Sequence, residues 1–69
     1  MSEQVENPLV DLYEKLEVVI TESMDDTEKF VLNGNNSAGT RVRKAMQVVK
    51  NLAQEIRVEV QKQKQLEVA

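Results

Sequence analysis

The sequence contains no cysteine and no histidine among its 69 residues. Zinc sites of the finger, ribbon and catalytic kinds take cysteine or histidine ligands, and nucleophilic triads take histidine as their base. Disulfide stabilisation is excluded as well. No other arrangement of residues resembles an active site. We therefore predict a protein that is not an enzyme, with no metal, no cofactor and no small-molecule substrate.

Long apolar runs are also absent. None exceeds three residues, as in Val18-Val19-Ile20, whereas a membrane-spanning helix needs about 20. The chain also has no early charged-then-apolar segment of the kind that marks a signal peptide. At 7.9 kDa the chain has room for one small domain. We expect a soluble, cytoplasmic protein with no membrane contact.

Helix breakers are scarce, since there are two glycines and one proline. Asn7-Pro8 is typical of a helix start, and the segment 33–37 is typical of a helix end, a turn and a new cap. We predict a single all-α domain over 1–69, with one helix from about 8 to 33, a turn at 34–36, and a second helix from about 37 to 66. The polar segment 25–28 leaves a break near Asp25-Asp26 as an alternative.

Apolar residues recur every three or four positions in both segments, which is typical of helices with one buried stripe. The stripe of the first segment comprises Leu9, Leu12, Tyr13, Leu16, Val19, Ile20, Met24, Phe30 and Val31. That of the second comprises Ala38, Val42, Ala45, Met46, Val49, Leu52, Ala53, Ile56, Val60 and Leu66. The pattern predicts a long antiparallel helical hairpin, in which Tyr13 and Phe30 are core anchors.

Several valines lie away from the main line of these stripes, including Val31 at the edge of the first one: Val10, Val18, Val31, Val48 and Val58. One interpretation is that each helix has a wider apolar face than one partner covers, which predicts a homodimer with a two-fold four-helix bundle, or a higher homo-oligomer. The alternative is that these valines are solitary exposed side chains, which are ordinary on any surface.

Charge is divided between the two halves of the chain. Residues 1–35 hold two basic and nine acidic side chains, a net charge of −7, and residues 36–69 hold seven basic and three acidic ones, a net charge of +4. In the basic half Arg43, Lys50, Arg57 and Lys64 recur every seven residues, so they form a line along one side of the second helix. Arg41 and Lys44 are expected to widen the N-terminal end of that line.

Two interpretations of the basic line remain open. It can follow a nucleic-acid backbone, because cations placed on phosphates release condensed counterions. It can equally pair with carboxylates of a neighbouring helix, such as Glu14, Glu17 or Glu22. No aromatic residue interleaves with the cations, so stacking on single strands is not expected.

The segment 34–59 resembles the bacterial linker-histone-like family, which includes the chlamydial nucleoid histone. Its most specific part is Ala38-Gly39-Thr40-Arg41-Val42-Arg43-Lys44. The resemblance implies a nucleoid-associated protein that binds duplex DNA without strong sequence preference and helps to condense the chromosome. The residues assigned to DNA binding are Arg41, Arg43, Lys44, Lys50, Arg57 and Lys64. The alternative is a helical self-association or protein-interaction module that does not bind DNA.

Overall fold

The computed structural model describes the backbone of residues 7–68 and the side chains of residues 7–65. It contains two helices, α1 (Pro8–Asn33) and α2 (Asn36–Val68), packed against each other, and no strand within that range. The prediction of an all-helical pair is therefore confirmed. α1 runs without a break through Asp25-Asp26. The side chain of Leu66, predicted to lie on the stripe of α2, falls outside the described side chains.

Asparagine side chains begin both helices. Asn7 Oδ1 accepts from the Leu9 amide at 2.9 Å, and Pro8 occupies the first turn, where a missing N–H costs nothing. Asn35 Oδ1 accepts from the Ala38 amide at 3.0 Å at the start of α2. Between the helices, Gly34 adopts the left-handed conformation with φ of 65°. A side chain is strained in that conformation, so glycine suits the turn.

A strict heptad of side chains forms the contact between the helices. In α1 the inward positions are Leu9, Leu12, Leu16, Val19, Ser23 and Asp26, followed by Phe30 at the turn. In α2 they are Ala38, Val42, Ala45, Val49, Leu52, Ile56, Glu59 and Gln63. Alternating steps of three and four residues keep one side of each helix on its partner, as in an antiparallel coiled coil. Leu16 and Leu52 lie in the apolar middle of this stripe.

The end of the stripe near the turn is small and polar, which counting apolar residues did not predict. Ser23 is buried and Met24 is exposed, although Met24 was the residue expected on the stripe. The Ser23 hydroxyl donates to the Ile20 carbonyl at 2.9 Å, so its burial leaves no polar atom unsatisfied. Asp26 is also turned toward α2, where it meets Arg41.

Phe30 packs against Gly39, and this contact closes the hairpin beside the turn. A Cβ atom built on Gly39 would lie 2.7 Å from Phe30 Cδ1 and 2.8 Å from Cε1, which is too close for van der Waals contact. Gly39 is thus a place where the absence of a side chain lets an aromatic ring approach the backbone of the opposing helix.

The prediction that Tyr13 and Phe30 are core anchors is wrong, because 54% of Tyr13 and 46% of Phe30 are exposed. The hairpin is only one helix thick, with extents of 53 × 28 × 11 Å. A single layer covers one stripe on each helix and leaves both broad sides of the pair in solvent. No large side chain within the described part of the chain is fully buried.

Candidate nucleic-acid interface

The side of α2 that points directly away from α1 carries a continuous row of cations. With the inward stripe at heptad positions a and d, this outer side consists of positions b, c and f. It holds five basic residues, which we call the basic edge: Arg43, Lys44, Lys50, Arg57 and Lys64. Between residues 37 and 65 no carboxylate occupies any of these outer positions. The seven-residue spacing in the sequence therefore produces a surface on which the charged side chains are all basic.

All five residues of the basic edge are exposed, and none takes part in an ion pair among those found in residues 7–65. From Arg43 to Lys64 the edge is about 30 Å long, at about 1.5 Å per residue. That length approaches one helical turn of duplex DNA, about 34 Å. The heptad repeat places successive cations about 10 Å apart, so the edge presents a spaced row of charges rather than a pocket.

Arg41, the sixth residue predicted to bind DNA, does not lie on the basic edge. Its Nε donates to Asp26 Oδ1 of α1 at 3.0 Å, in an ion pair that joins the two helices near the turn. Arg43 follows Arg41 by two positions in the sequence, which corresponds to a rotation of about 200° around the helix axis. The prediction grouped them by sequence, but the helix turns them to different sides.

The predicted pairing of the basic line with Glu14, Glu17 or Glu22 of α1 does not occur within this hairpin among the described residues. Apart from Arg41–Asp26, the ion pairs found there are local ones, Lys29–Asp25 at 3.4 Å and Lys62–Glu59 at 3.6 Å. Both pairs join residues one helical turn apart, and in each of them the lysine is exposed to solvent, so they contribute little to stability.

Sequence reasoning missed the uncharged members of the same surface. Position f of α2 carries only neutral polar side chains: Thr40, Gln47, Gln54 and Gln61. Hydroxyl and amide groups of this kind donate hydrogen bonds to phosphate oxygens in protein–DNA interfaces. Their recurrence every seven residues was a visible signal, but a search for charge alone does not find it.

The outer side of α1 has the opposite charge. Its positions b, c and f hold five carboxylates, which we call the acidic edge: Asp11, Glu14, Glu17, Asp25 and Glu28. The two lysines of α1, Lys15 and Lys29, are not on this edge but at position g. The hairpin is therefore a thin plate with a basic edge and an acidic edge on opposite long sides.

A comparison with known protein families identifies the family of this chain. The family model of the histone H1-like protein Hc1 matches residues 10–65. This chain belongs to the Hc1 family. No curated protein and no solved structure matches the chain significantly. The predicted family resemblance is confirmed, and the match includes most of both helices and the whole basic edge.

In this Hc1-family chain, residues 38–44 have structural as well as electrostatic roles. Ala38 is completely buried, Gly39 receives the ring of Phe30, and Arg41 pairs with Asp26. Only Arg43 and Lys44 of this segment project from the basic edge. The segment that carried the resemblance therefore holds the turn end of the hairpin together, and it places two cations outward.

Two other features, a metal site and a membrane-spanning helix, are not found in the described part of this Hc1-family chain. No group of three or more carboxylate, histidine or cysteine side chains there is arranged to hold a metal ion. Neither helix has a stretch apolar enough to span a bilayer, over the residues searched. The basic edge is the feature of the surface with the clearest chemical preference.

Proposed function

We propose that this protein binds the phosphate backbone of duplex DNA through the basic edge, without strong sequence preference, as a component of the bacterial nucleoid in the cytoplasm. The observation that carries the proposal is the separation of charge: over residues 37–65, the outer side of α2 holds five cations and no carboxylate. Membership of a histone H1-like family supports the same partner.

The geometry favours a duplex backbone over other nucleic-acid surfaces. A straight row of spaced cations about 30 Å long fits a rigid, regularly charged rod better than a folded loop. The two aromatic residues lie on α1, and the outer side of α2 carries none, so base stacking has no platform there. Arg43, Lys50, Arg57 and Lys64 would contact phosphates, with Lys44 beside them and the glutamines of position f as neutral donors.

Arg41 has a different role in this proposal. Because its guanidinium is held by Asp26, it stabilises the turn end of the hairpin instead of contacting DNA. Replacing Arg41 would therefore mix a loss of binding with a loss of structure, and a clean test of the interface leaves Arg41 in place.

The test is a titration of a labelled duplex by fluorescence anisotropy at about 20, 50, 100 and 200 mM salt, a range over which backbone contacts weaken strongly. Five phosphate contacts predict a slope of log affinity against log salt of about −4 to −5. The double variant Lys50→Gln/Arg57→Gln should bind less tightly at every salt concentration. Its slope should be smaller in magnitude by about 2, because two phosphate contacts are lost.

The matched control is Lys15→Gln/Lys29→Gln, which removes the same charge from α1. The affinity of this control for the duplex should change little, and its salt slope should equal that of the unmodified protein. Absence of binding at the lowest salt, or an equal loss of slope in both variants, would contradict the proposal. The protein would then be a helical interaction module that does not bind DNA.

A further inference from the structure

The outer side of α1 carries apolar side chains as well as the acidic edge. Between residues 8 and 33, positions b, c and f comprise eleven residues, of which five are the carboxylates of the acidic edge and five are large and apolar. The apolar ones are Val10, Val18, Met24, Val31 and Leu32. On the outer side of α2, Val58 is the one apolar residue at these positions between residues 37 and 65. Apolar surface therefore belongs to the acidic outer side and is nearly absent from the basic one.

Three of these apolar residues are neighbours near the turn, and we call them the outer patch: Met24, Val31 and Leu32. Their exposed fractions are 62%, 68% and 78%, the highest among the large apolar side chains in the described part of the chain. Glu28 lies one helical turn from each of them, and Asp25 lies one heptad before Leu32, so carboxylates stand within and beside the patch. Because the patch points away from α2, the hairpin itself cannot cover it.

The carboxylates of the acidic edge are accessible to an external partner. All five are exposed. Among the ion pairs found in residues 7–65, Asp25 is the one member of the edge that takes part, in the pair with Lys29 at 3.4 Å. Exposed pairs of this kind are weak, so a cation from a partner can replace Lys29 at little cost. The acidic edge therefore offers charge that the fold does not use.

We propose that the outer side of α1 binds a cationic amphipathic helix of a different protein. The apolar side chains of that helix cover the outer patch, and its lysine or arginine residues pair with Glu28 and with the carboxylates on either side. Contiguous exposed apolar side chains mark interaction sites, and charges of one sign around them select a partner of the opposite sign. Long cationic side chains suit this surface, since their stems pack on apolar residues while their charged ends reach the carboxylates.

The spacing of the surface matches a helical partner. Met24, Glu28 and Val31 follow one another at intervals of four and three residues, so they form a ridge along α1. A second helix that carries apolar and cationic residues at the same intervals can lie along that ridge, as amphipathic helices do on complementary surfaces.

Charge and apolar content together exclude the other occupants. A second copy of the chain offers its basic edge, but beside those cations, between residues 37 and 65, it has only Val58 to cover the outer patch. A second α1 would bring like charges together. Nucleic acid and anionic membrane surfaces are repelled by the acidic edge for the same reason. A partner that is both cationic and apolar is the chemistry that remains.

This interaction goes beyond DNA binding and does not depend on it. The basic edge and the acidic edge lie on opposite long sides of the hairpin, across its 28 Å width. A duplex and the partner helix therefore do not compete for one surface, and a molecule bound to DNA keeps the outer patch exposed.

The first experiment uses a synthetic helical peptide as the probe, with leucines at three- and four-residue spacing along one side and lysines flanking them. Isothermal titration calorimetry at about 50 mM salt should give a micromolar dissociation constant that weakens as salt screens the charges. Two control peptides, one with alanine in place of leucine and one with glutamate in place of lysine, should each bind at least about 10-fold more weakly. Amide chemical shifts of nitrogen-labelled protein should change most on the outer side of α1 between Thr21 and Leu32.

Variants of the protein test the same surface without changing its charge. Met24→Gln/Val31→Gln alters exposed residues, so the fold is retained, and it should weaken binding of the leucine–lysine peptide by about 10-fold or more. The matched control Val48→Gln/Val58→Gln alters two valines of α2 that are 44% and 48% exposed, and it should leave the affinity within about 2-fold. Circular dichroism verifies that both variants are folded.

Absence of binding of the leucine–lysine peptide up to about 1 mM would overturn the proposal, and so would equal weakening by the two protein variants. Equal affinity for the alanine peptide would show attraction by charge alone and would overturn it as well. Chemical-shift changes centred on Tyr13, Ile20 and Met46 would place the peptide on a broad side instead. None of these measurements contains DNA, so their failure and the failure of the anisotropy titration are distinguishable.

Discussion

At the scale of single residues, Gly39 shows how one missing side chain shapes the hairpin. Glycine within a helix is unfavourable relative to alanine by about 0.5–1 kcal/mol. Here its hydrogen atom leaves room for the ring of Phe30, which would otherwise meet a Cβ atom at 2.7 Å. The cost in helix propensity is therefore offset by a contact between the helices, next to the turn.

This balance predicts a coupling between the two residues. Gly39→Ala in the unmodified protein should gain little stability or lose some, because the new methyl group displaces the ring. The same change in a Phe30→Ala background should stabilise by about 0.5–1 kcal/mol, since helix propensity then acts alone. Urea unfolding followed by circular dichroism at one protein concentration measures both changes. An equal gain in the two backgrounds would show that Phe30 does not restrict position 39.

At the scale of the helices, stability depends on a short apolar stretch of the contact stripe. Leu52 is the one large apolar side chain within the described residues that is more than nine-tenths buried, with 8% exposed. Before Phe30 at the turn, α1 contributes Ser23 and Asp26 to the stripe, and at the open end a reciprocal amide pair joins Asn7 to Gln63 at 2.9 and 3.2 Å. The middle of the stripe therefore supplies most of the apolar burial.

Leu52→Ala should accordingly lower the free energy of unfolding by about 2–3 kcal/mol, as expected for truncating a buried leucine. Val58→Ala is the matched control, because Val58 is on the same helix but 48% exposed, and it should change the free energy of unfolding by less than about 0.5 kcal/mol. Thermal unfolding of both variants at the same concentration provides the comparison. Similar losses in the two variants would place the stabilising contact elsewhere.

Most of the fold could be predicted from the sequence because its signals are local: the asparagine caps, Gly34 at the turn, and leucines spaced by three and four. Selecting residues by their apolar character alone could not predict that Met24 is exposed. α1 is a rigid rod, so the register set by Leu9, Leu12 and Leu16 carries Ser23 inward and Met24 outward. A strict heptad extrapolated from those leucines would have given the observed face.

The candidate site could also be predicted in part, where its positions depend on local spacing along one helix. The seven-residue spacing correctly placed Arg43, Lys50, Arg57 and Lys64 on one line of α2, because that spacing nearly restores the same direction. The grouping of Arg41 with these residues rested on its position in the sequence, whereas in the structure Arg41 pairs with Asp26 of α1. Its pairing with Asp26 depends on the distance between two helices, and that information is not contained in either helix alone.

At the scale of the whole molecule, the hairpin holds its acidic edge and its basic edge in a fixed register. The contacts Asn7–Gln63 and Asp26–Arg41 fix the register of the hairpin, which places Glu17 level with the region of Lys50.

The opposite edges also give the hairpin an electric dipole across its 28 Å width. A duplex that attracts the basic edge repels the acidic one, so a bound molecule is oriented with α1 away from the DNA. Each chain has a net charge of −3, so its binding does not neutralise the nucleic acid. A duplex covered by single hairpins would present carboxylates to its surroundings in place of phosphates.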